Sequence, residues 1–150
     1  MTVSLTADTS LTVATHAGKI LLCNDADGKF TLPSINVNAN GATAGDNDFN
    51  NLNNIGAQFK FFVETAATDM DIKTDGTDKF KGAVMIGVND GSKKAFVPGA
   101  TNDVITMNGS TKGGIAGSVV SFTAIDTATY MVHNSLLIGS GTIVTPYADA

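Results

Sequence analysis

Apolar and polar residues alternate through most of this chain in short runs, and the period is two. Phe59, Phe61 and Val63 fall on one side of a run whose other side carries Lys60, Phe62 and Glu64. That is the signature of a half-buried β-strand. Phe62 on the second side points to burial of both faces or to a subunit contact. Val3, Leu5 and Ala7 alternate with Thr2, Ser4 and Thr6, and Met70 and Ile72 alternate with Asp69, Asp71 and Lys73. Leu11 to Ala14 repeats the pattern before His16-Ala17-Gly18 interrupts it. Lys19 to Asn24, with its apolar run Ile20-Leu21-Leu22-Cys23, predicts a buried strand.

Turn-forming residues punctuate these runs. Asp25-Ala26-Asp27-Gly28 separates Lys19–Asn24 from Lys29-Phe30-Thr31-Leu32, which Pro33 ends; the unit predicts a hairpin with Gly28 at positive φ. Thr74-Asp75-Gly76-Thr77 leads to Phe80 and then to Ala83–Val88. Ala95-Phe96-Val97 stops at Pro98-Gly99. Val104–Met107 is followed by Asn108-Gly109, the strongest two-residue hairpin signal in the chain. Gly117–Ile125, Thr129–His133 and Leu136–Ile138 read as three further strands, and the tail from Gly139 to Tyr147 reads as extended. No stretch sustains a 3.6-residue period. The expectation is an all-β fold of roughly ten short strands with little or no helix, an antiparallel β-sandwich or barrel of jelly-roll type.

At 150 residues the chain is one domain by length, 1–150. Residues 34–55 are mostly Asn, Gly, Ala and Asp and predict a long surface loop, with Val37, Phe49, Leu52 and Ile55 able to pin it. Together with the N-terminal segment Thr2–Thr15, read as a contact arm of about residues 1–15, this loop is the candidate for contact with other chains. Both are long, weakly charged and poor in core residues.

Composition narrows the function classes. The chain has no arginine, a single glutamate (Glu64), nine lysines and a net charge of −5. Nucleic-acid binders present basic patches with Arg forks, so no nucleic acid is expected as a partner. No apolar run approaches the ~18 residues of a membrane span, and the N-terminal residues show neither a basic nor a long apolar signal region. Synthesis in a cytoplasm and no membrane partner are the corresponding expectations. Charged residues make up only 15% of the chain, against about 25% in an average soluble domain. Part of the surface is therefore expected to be covered by partner chains, in an oligomer.

No arrangement advertises catalysis, a cofactor or a metal. His16 and His133 stand alone, without ligands at zinc spacing. Asp25-Ala26-Asp27-Gly28 and Asp69-Met70-Asp71 start like calcium loops, but the fifth positions are Lys29 and Lys73, where a ligand is needed. Gly139-Ser140-Gly141 lacks the strand-to-helix setting of a nucleophile elbow. Cys23 is the only cysteine, and its apolar neighbours predict a small buried hydrophobe. A hydrolase would need a cleft in which Asp and His side chains converge.

Several motifs, in order, carry a resemblance. They are Ala17-Gly18-Lys19-Ile20-Leu21-Leu22, Asp27-Gly28-Lys29-Phe30-Thr31-Leu32-Pro33, Gly56-Ala57-Gln58-Phe59-Lys60-Phe61 and Ile72-Lys73-Thr74-Asp75-Gly76. Gly117-Ser118-Val119-Val120-Ser121-Phe122, Tyr130-Met131-Val132, Gly139-Ser140-Gly141-Thr142 and Thr145-Pro146-Tyr147 follow. Taken together the chain resembles the small all-β virion proteins of tailed bacteriophages, both capsid decoration (cement) proteins and head- or tail-fibre modules. Where such sequences often carry Trp, this one has Tyr130, which keeps an aromatic anchor. The resemblance implies a non-enzymatic protein that binds the outer surface of an icosahedral head. Its partners would be the major capsid protein and itself, as a homotrimer near local threefold axes. The alternative it implies is a fibre or receptor-binding module, for which Phe49 and Tyr147 are the loop aromatics able to serve as a sugar platform.

Overall fold

The computed structural model describes residues 1–35 and 54–150. Over these residues the chain forms thirteen strands and one helix of four residues. The strands lie in two sheets packed face to face, the sandwich alternative of the expectation; no closed barrel forms.

The larger sheet holds β1 (Thr2–Leu5), β3 (Ile20–Cys23), β5 (Gln58–Val63), β11 (Val119–Ala124), β12 (Thr129–Ile138), β8 (Val84–Gly87) and β9 (Lys93–Phe96), in that spatial order. An eighth strand, β7 (Lys79–Lys81), pairs with the first residues of β12, while β8 pairs with its last. The smaller sheet runs β13 (Tyr147–Ala148), β10 (Val104–Met107), β6 (Met70–Lys73), β4 (Lys29–Thr31), β2 (Thr9–Ser10).

Alternation sends one face of each sheet inward. Phe59, Phe61, Val120, Phe122 and Tyr130 from the larger sheet meet Phe30, Met70, Ile72, Ile105 and Met107 from the smaller. Phe30 stacks on Phe61 across the sandwich with ring centroids 6.4 Å apart. Phe61 meets Phe122 edge-on at 5.7 Å, and Phe80 of β7 lies 5.0 Å from Phe122. Such offset and edge contacts suit the aromatic quadrupole and add to the area buried.

Four local expectations are corrected. First, the sheets are mixed: of the eleven pairings among the described residues, six are parallel, including β1 with β3, β3 with β5 and β4 with β6. Second, β3 and β4 form no hairpin. Asp25–Gly28 carries the chain from one sheet to the other, and Gly28 is not at positive φ. What holds a glycine there is space: a Cβ at position 28 would sit 2.6 Å from the Phe30 ring. Third, Asn108-Gly109 turns the chain, with Gly109 at φ +70°, but β10 pairs with β6 and β13 and not with the strand that follows it.

Fourth, Val13–His16 is a helix, α1, where alternation had predicted a strand. The Thr12 side chain accepts from the Thr15 N–H at 3.4 Å and the His16 Nδ1 accepts from the Thr12 N–H at 2.9 Å, a capping arrangement that overrides the short pattern. The N-terminal segment is also less free of core residues than its composition suggests. Leu5 and Leu11 are buried, and Thr2–Leu5 forms the edge strand of the larger sheet.

The chain on either side of residues 36–53 is tied down. The Tyr130 hydroxyl donates to the Pro33 carbonyl at 2.6 Å, and the Ile35 N–H donates to the Asp78 carboxylate at 2.9 Å. Asn54 donates from its side chain to the Ser34 carbonyl at 2.7 Å, and the Ser34 hydroxyl donates to Asp75. Val37, Phe49 and Leu52, the expected pins of the loop, lie outside the described residues; Ile55 is half-buried.

Candidate interaction face

The outer face of the larger sheet is where the structure departs from an ordinary polar exterior. Strand register decides which side chains share that face, because residues paired across neighbouring strands point the same way. Ser4 pairs with Leu22, Leu22 with Phe62, and Phe62 with Val119. Val119 pairs with Leu136, Leu136 with Met85, and Met85 with Ala95. The result is a transverse row, Leu22–Phe62–Val119–Leu136–Met85–Ala95, that crosses six strands without a charge. Leu136 is 48% exposed and Met85 40%, while Leu22, Phe62 and Val119 are half-buried. Ile20 (45%) and Met131 (38%) add apolar surface in the neighbouring rows.

The row exists because of a bulge. Val119 pairs with Leu136 and Ser121 with His133, so β12 spends three residues where β11 spends two. Asn134, at φ +46°, is the extra residue and the only described non-glycine at positive φ. The bulge reverses the in–out phase of β12 partway along. Met131 and Leu136, an odd number of residues apart, therefore both face outward, while Val132 and Leu137 are both buried.

Charged side chains flank the row: Lys60 on one side, and on the other Lys93, in register with Gly87 and Ile138, and Glu64, which accepts from the Asn24 side chain at 2.6 Å. Lys60 lies between Ile20 and Ser121 in the adjacent row. His133 sits next to Ser121, with its Nε2 2.7 Å from the Thr123 hydroxyl. His16 is buried at the end of α1 and bonded to Thr12, while His133 on β12 is bonded to Thr123, so the two histidines share no partner. Among the described residues no three His, Cys, Asp or Glu side chains converge as a metal ion would require. Asp69 and Asp71, which start like a calcium loop, instead hold the Lys29 ammonium, with Asp71 at 3.1 Å.

Strand spacing gives the face its size. Six strands at 4.7–4.9 Å span about 24 Å, and the two outward residues of a four-residue strand span about 7–13 Å, a footprint of roughly 170–310 Å². That lies at or below the lower end of the range for the largest patch on a soluble monomer. It falls short of the ~800 Å² per partner of a self-sufficient interface.

Sequence reasoning had singled out one member of the row, Phe62. The signal for the others was available in runs that fail to alternate: Ile20–Cys23, Val84-Met85-Ile86, Val119-Val120 and Leu136-Leu137-Ile138. A strand that is apolar on both faces is either buried on both or exposes one, and here the second outcome holds. Tyr147, a proposed loop aromatic, is no platform. It is buried, and its hydroxyl donates to the Gly82 carbonyl at 2.6 Å. Phe49 lies outside the described residues.

An apolar hollow of about 480 Å³ beside α1, lined by Val13, Ala14, Ala17 and Ala57 among others, has no ionisable side chain in its wall. Cys23 is buried in the core as expected, and burial pushes its thiol pKa up to about 12. Comparison with protein-family models, curated proteins and solved structures finds no match for this chain.

Proposed function

We propose that this chain is a non-enzymatic structural protein of a phage virion, a decoration or cement protein that binds the outer surface of an icosahedral head and stabilises it. The observation that carries the reading is the uncharged apolar row across the outer face of the larger sheet. In this reading the row is the surface that meets the major capsid protein. A stiff sandwich with an apolar contact face too small to bind tightly alone suits a lattice with hundreds of equivalent sites. Retention there comes from several copies engaging at once, since linked weak contacts gain 10²–10⁴-fold in avidity. A homotrimer seated near local threefold axes supplies that linkage. The protein is made in the host cytoplasm and ends on the capsid surface, without nucleic acid, membrane or cofactor.

The test is the copy number of the chain in purified particles, relative to the major shell protein, by quantitative mass spectrometry. Hundreds of copies per head are expected. A handful, in multiples of three, would overturn the decoration reading and favour the alternative, a fibre or receptor-binding module at a vertex or tail.

A further inference from the structure

The two sheet paths end in four strands, and three of these are protected against pairing with another chain; β7, off the path of the larger sheet, carries Lys79 and Lys81 and has its Phe80 N–H bonded to the Asn102 carbonyl at 3.0 Å. At β9 the strand carries Lys93 and Lys94 side by side. At β2 the strand is two residues long and follows Asp8. At β13 it is again two residues long and lies between Pro146 and Asp149. Short length, lysine, proline and flanking charge are the usual devices that keep an edge from adding strands.

The fourth edge, β1, has none of them. Thr2-Val3-Ser4-Leu5 is four residues long, uncharged and without a bulge. Its bonding phase is set by two flanking hydrogen bonds, from the Ile20 N–H to the Met1 carbonyl at 3.1 Å and from the Asn24 N–H to the Leu5 carbonyl at 2.8 Å. Odd-numbered residues of β1 therefore bond to β3. The main-chain N–H and C=O of Thr2 and Ser4 point out of the sheet, with no partner among the described residues.

We infer that β1 is a strand-addition edge and that its occupant is β1 of a second copy of this chain, antiparallel across a twofold axis through Val3. The pattern is self-complementary. With Val3 opposite Val3 of the other copy, Thr2 faces Ser4 and Ser4 faces Thr2, and each of these pairs exchanges two main-chain hydrogen bonds. An antiparallel ladder demands this alternation: bonded pairs two residues apart with a non-bonded pair between them. Val3 packs against the core on the inner face, so the two valines extend the cores toward each other. The hydroxyls of Thr2 and Ser4 lie together on the outer face. Absence of charge leaves nothing to repel a copy of the same strand. The two larger sheets become continuous, and their apolar rows fall on one surface. The contact is twofold, so it is separate from a threefold one and able to join neighbouring trimers.

The experiment is site-specific disulfide trapping in the full chain under mild oxidation, read on non-reducing gels. Non-bonded antiparallel pairs place Cα atoms about 4.5 Å apart, within disulfide reach. Val3→Cys is expected to trap a covalent dimer. Thr2→Cys, whose two copies lie about 8–9 Å apart in this register, is expected to trap at least tenfold less. Ser4→Pro removes an N–H that faces outward and leaves the β1–β3 ladder intact. Placed in the Val3→Cys background, it should cut trapping at least tenfold, while Ser4→Ala, which loses the hydroxyl contact from Asn24 but keeps the N–H, should not. A folded Val3→Cys chain that yields no dimer at ~100 µM, or equal trapping at positions 2 and 3, overturns the inference. The readout uses the purified chain alone, so its failure is distinguishable from failure of the virion reading.

Discussion

Asn134 offers the sharpest test of how the outer face is built. At φ +46° it occupies the left-handed region, where a residue with a Cβ costs roughly 1–2 kcal/mol and a β-branched one is worst placed. Asn134→Val should therefore destabilise the protein by about 1–2 kcal/mol. At roughly 2–4 °C per kcal/mol for a domain of about this size, the expected loss in Tm is ~2–8 °C. Asn134→Gly, which tolerates positive φ, should stay within a few tenths of a kcal/mol of the parent.

Deleting Asn134 goes further. It removes the bulge and shifts Leu136–Ile138 by one residue, which flips every side chain to the opposite face. Leu137, now fully buried, would be exposed at a cost of ~1.5–3 kcal/mol, and Leu136 and Ile138 would be forced inward. A total loss above ~3 kcal/mol is expected, measured by urea unfolding followed by fluorescence and circular dichroism. If valine is tolerated as well as glycine, or if the deletion leaves stability unchanged, the bulge does not set the phase of this strand and the apolar row is misassigned.

Two further outcomes follow from buried groups. Burial pushes the Asp78 carboxyl above its usual range, reinforced by the Asp75 and Asp126 carboxylates and opposed by the hydrogen bond from the Ile35 N–H. A raised folded-state pKa means that the favourable contribution is complete below the unfolded value and is lost as pH rises through the folded one. Asp78→Asn keeps an acceptor for Ile35 and should match or exceed the parent in Tm at pH 7, with the advantage shrinking toward pH 4. A deficit that is the same at all pH values would refute this. The Cys23 thiol, pushed up to about 12 by burial, should not react with a disulfide reagent at pH 8 in the native protein and should react fully in denaturant. Stoichiometric reaction of the native chain within seconds would contradict the packing described.

Which side is buried was legible residue by residue in the strands that alternate: Phe59, Phe61 and Val63 inward, Met70 and Ile72 inward, Lys60 outward. Which strand lies beside which was not, because period two specifies a face and says nothing about the neighbour. Asp25–Gly28 illustrates the gap, since a tight polar turn serves a hairpin and a crossing between sheets equally well. The helix at Val13–His16 was hidden by its brevity; the capping threonine, Thr12, was the one local sign. Asn134 was also legible in principle, as asparagine is enriched at positive φ, but its consequence depends on the partner strand. The apolar row was visible only as Phe62. Its members lie up to 114 positions apart in the chain, from Leu22 to Leu136, and only register brings them together.

If this row holds the protein to a shell, charging it should release the protein. Met85 and Leu136 are exposed register partners, so Met85→Lys/Leu136→Asp, which sets opposite charges across the strands, should fold with near-parental Tm. The most direct measurement is occupancy of purified heads by parent and double variant at equal concentration, quantified by mass spectrometry against the major shell protein. Hundreds of parental copies per head are expected, and at least tenfold fewer of the variant. Equal occupancy by a folded variant would contradict this role for the row.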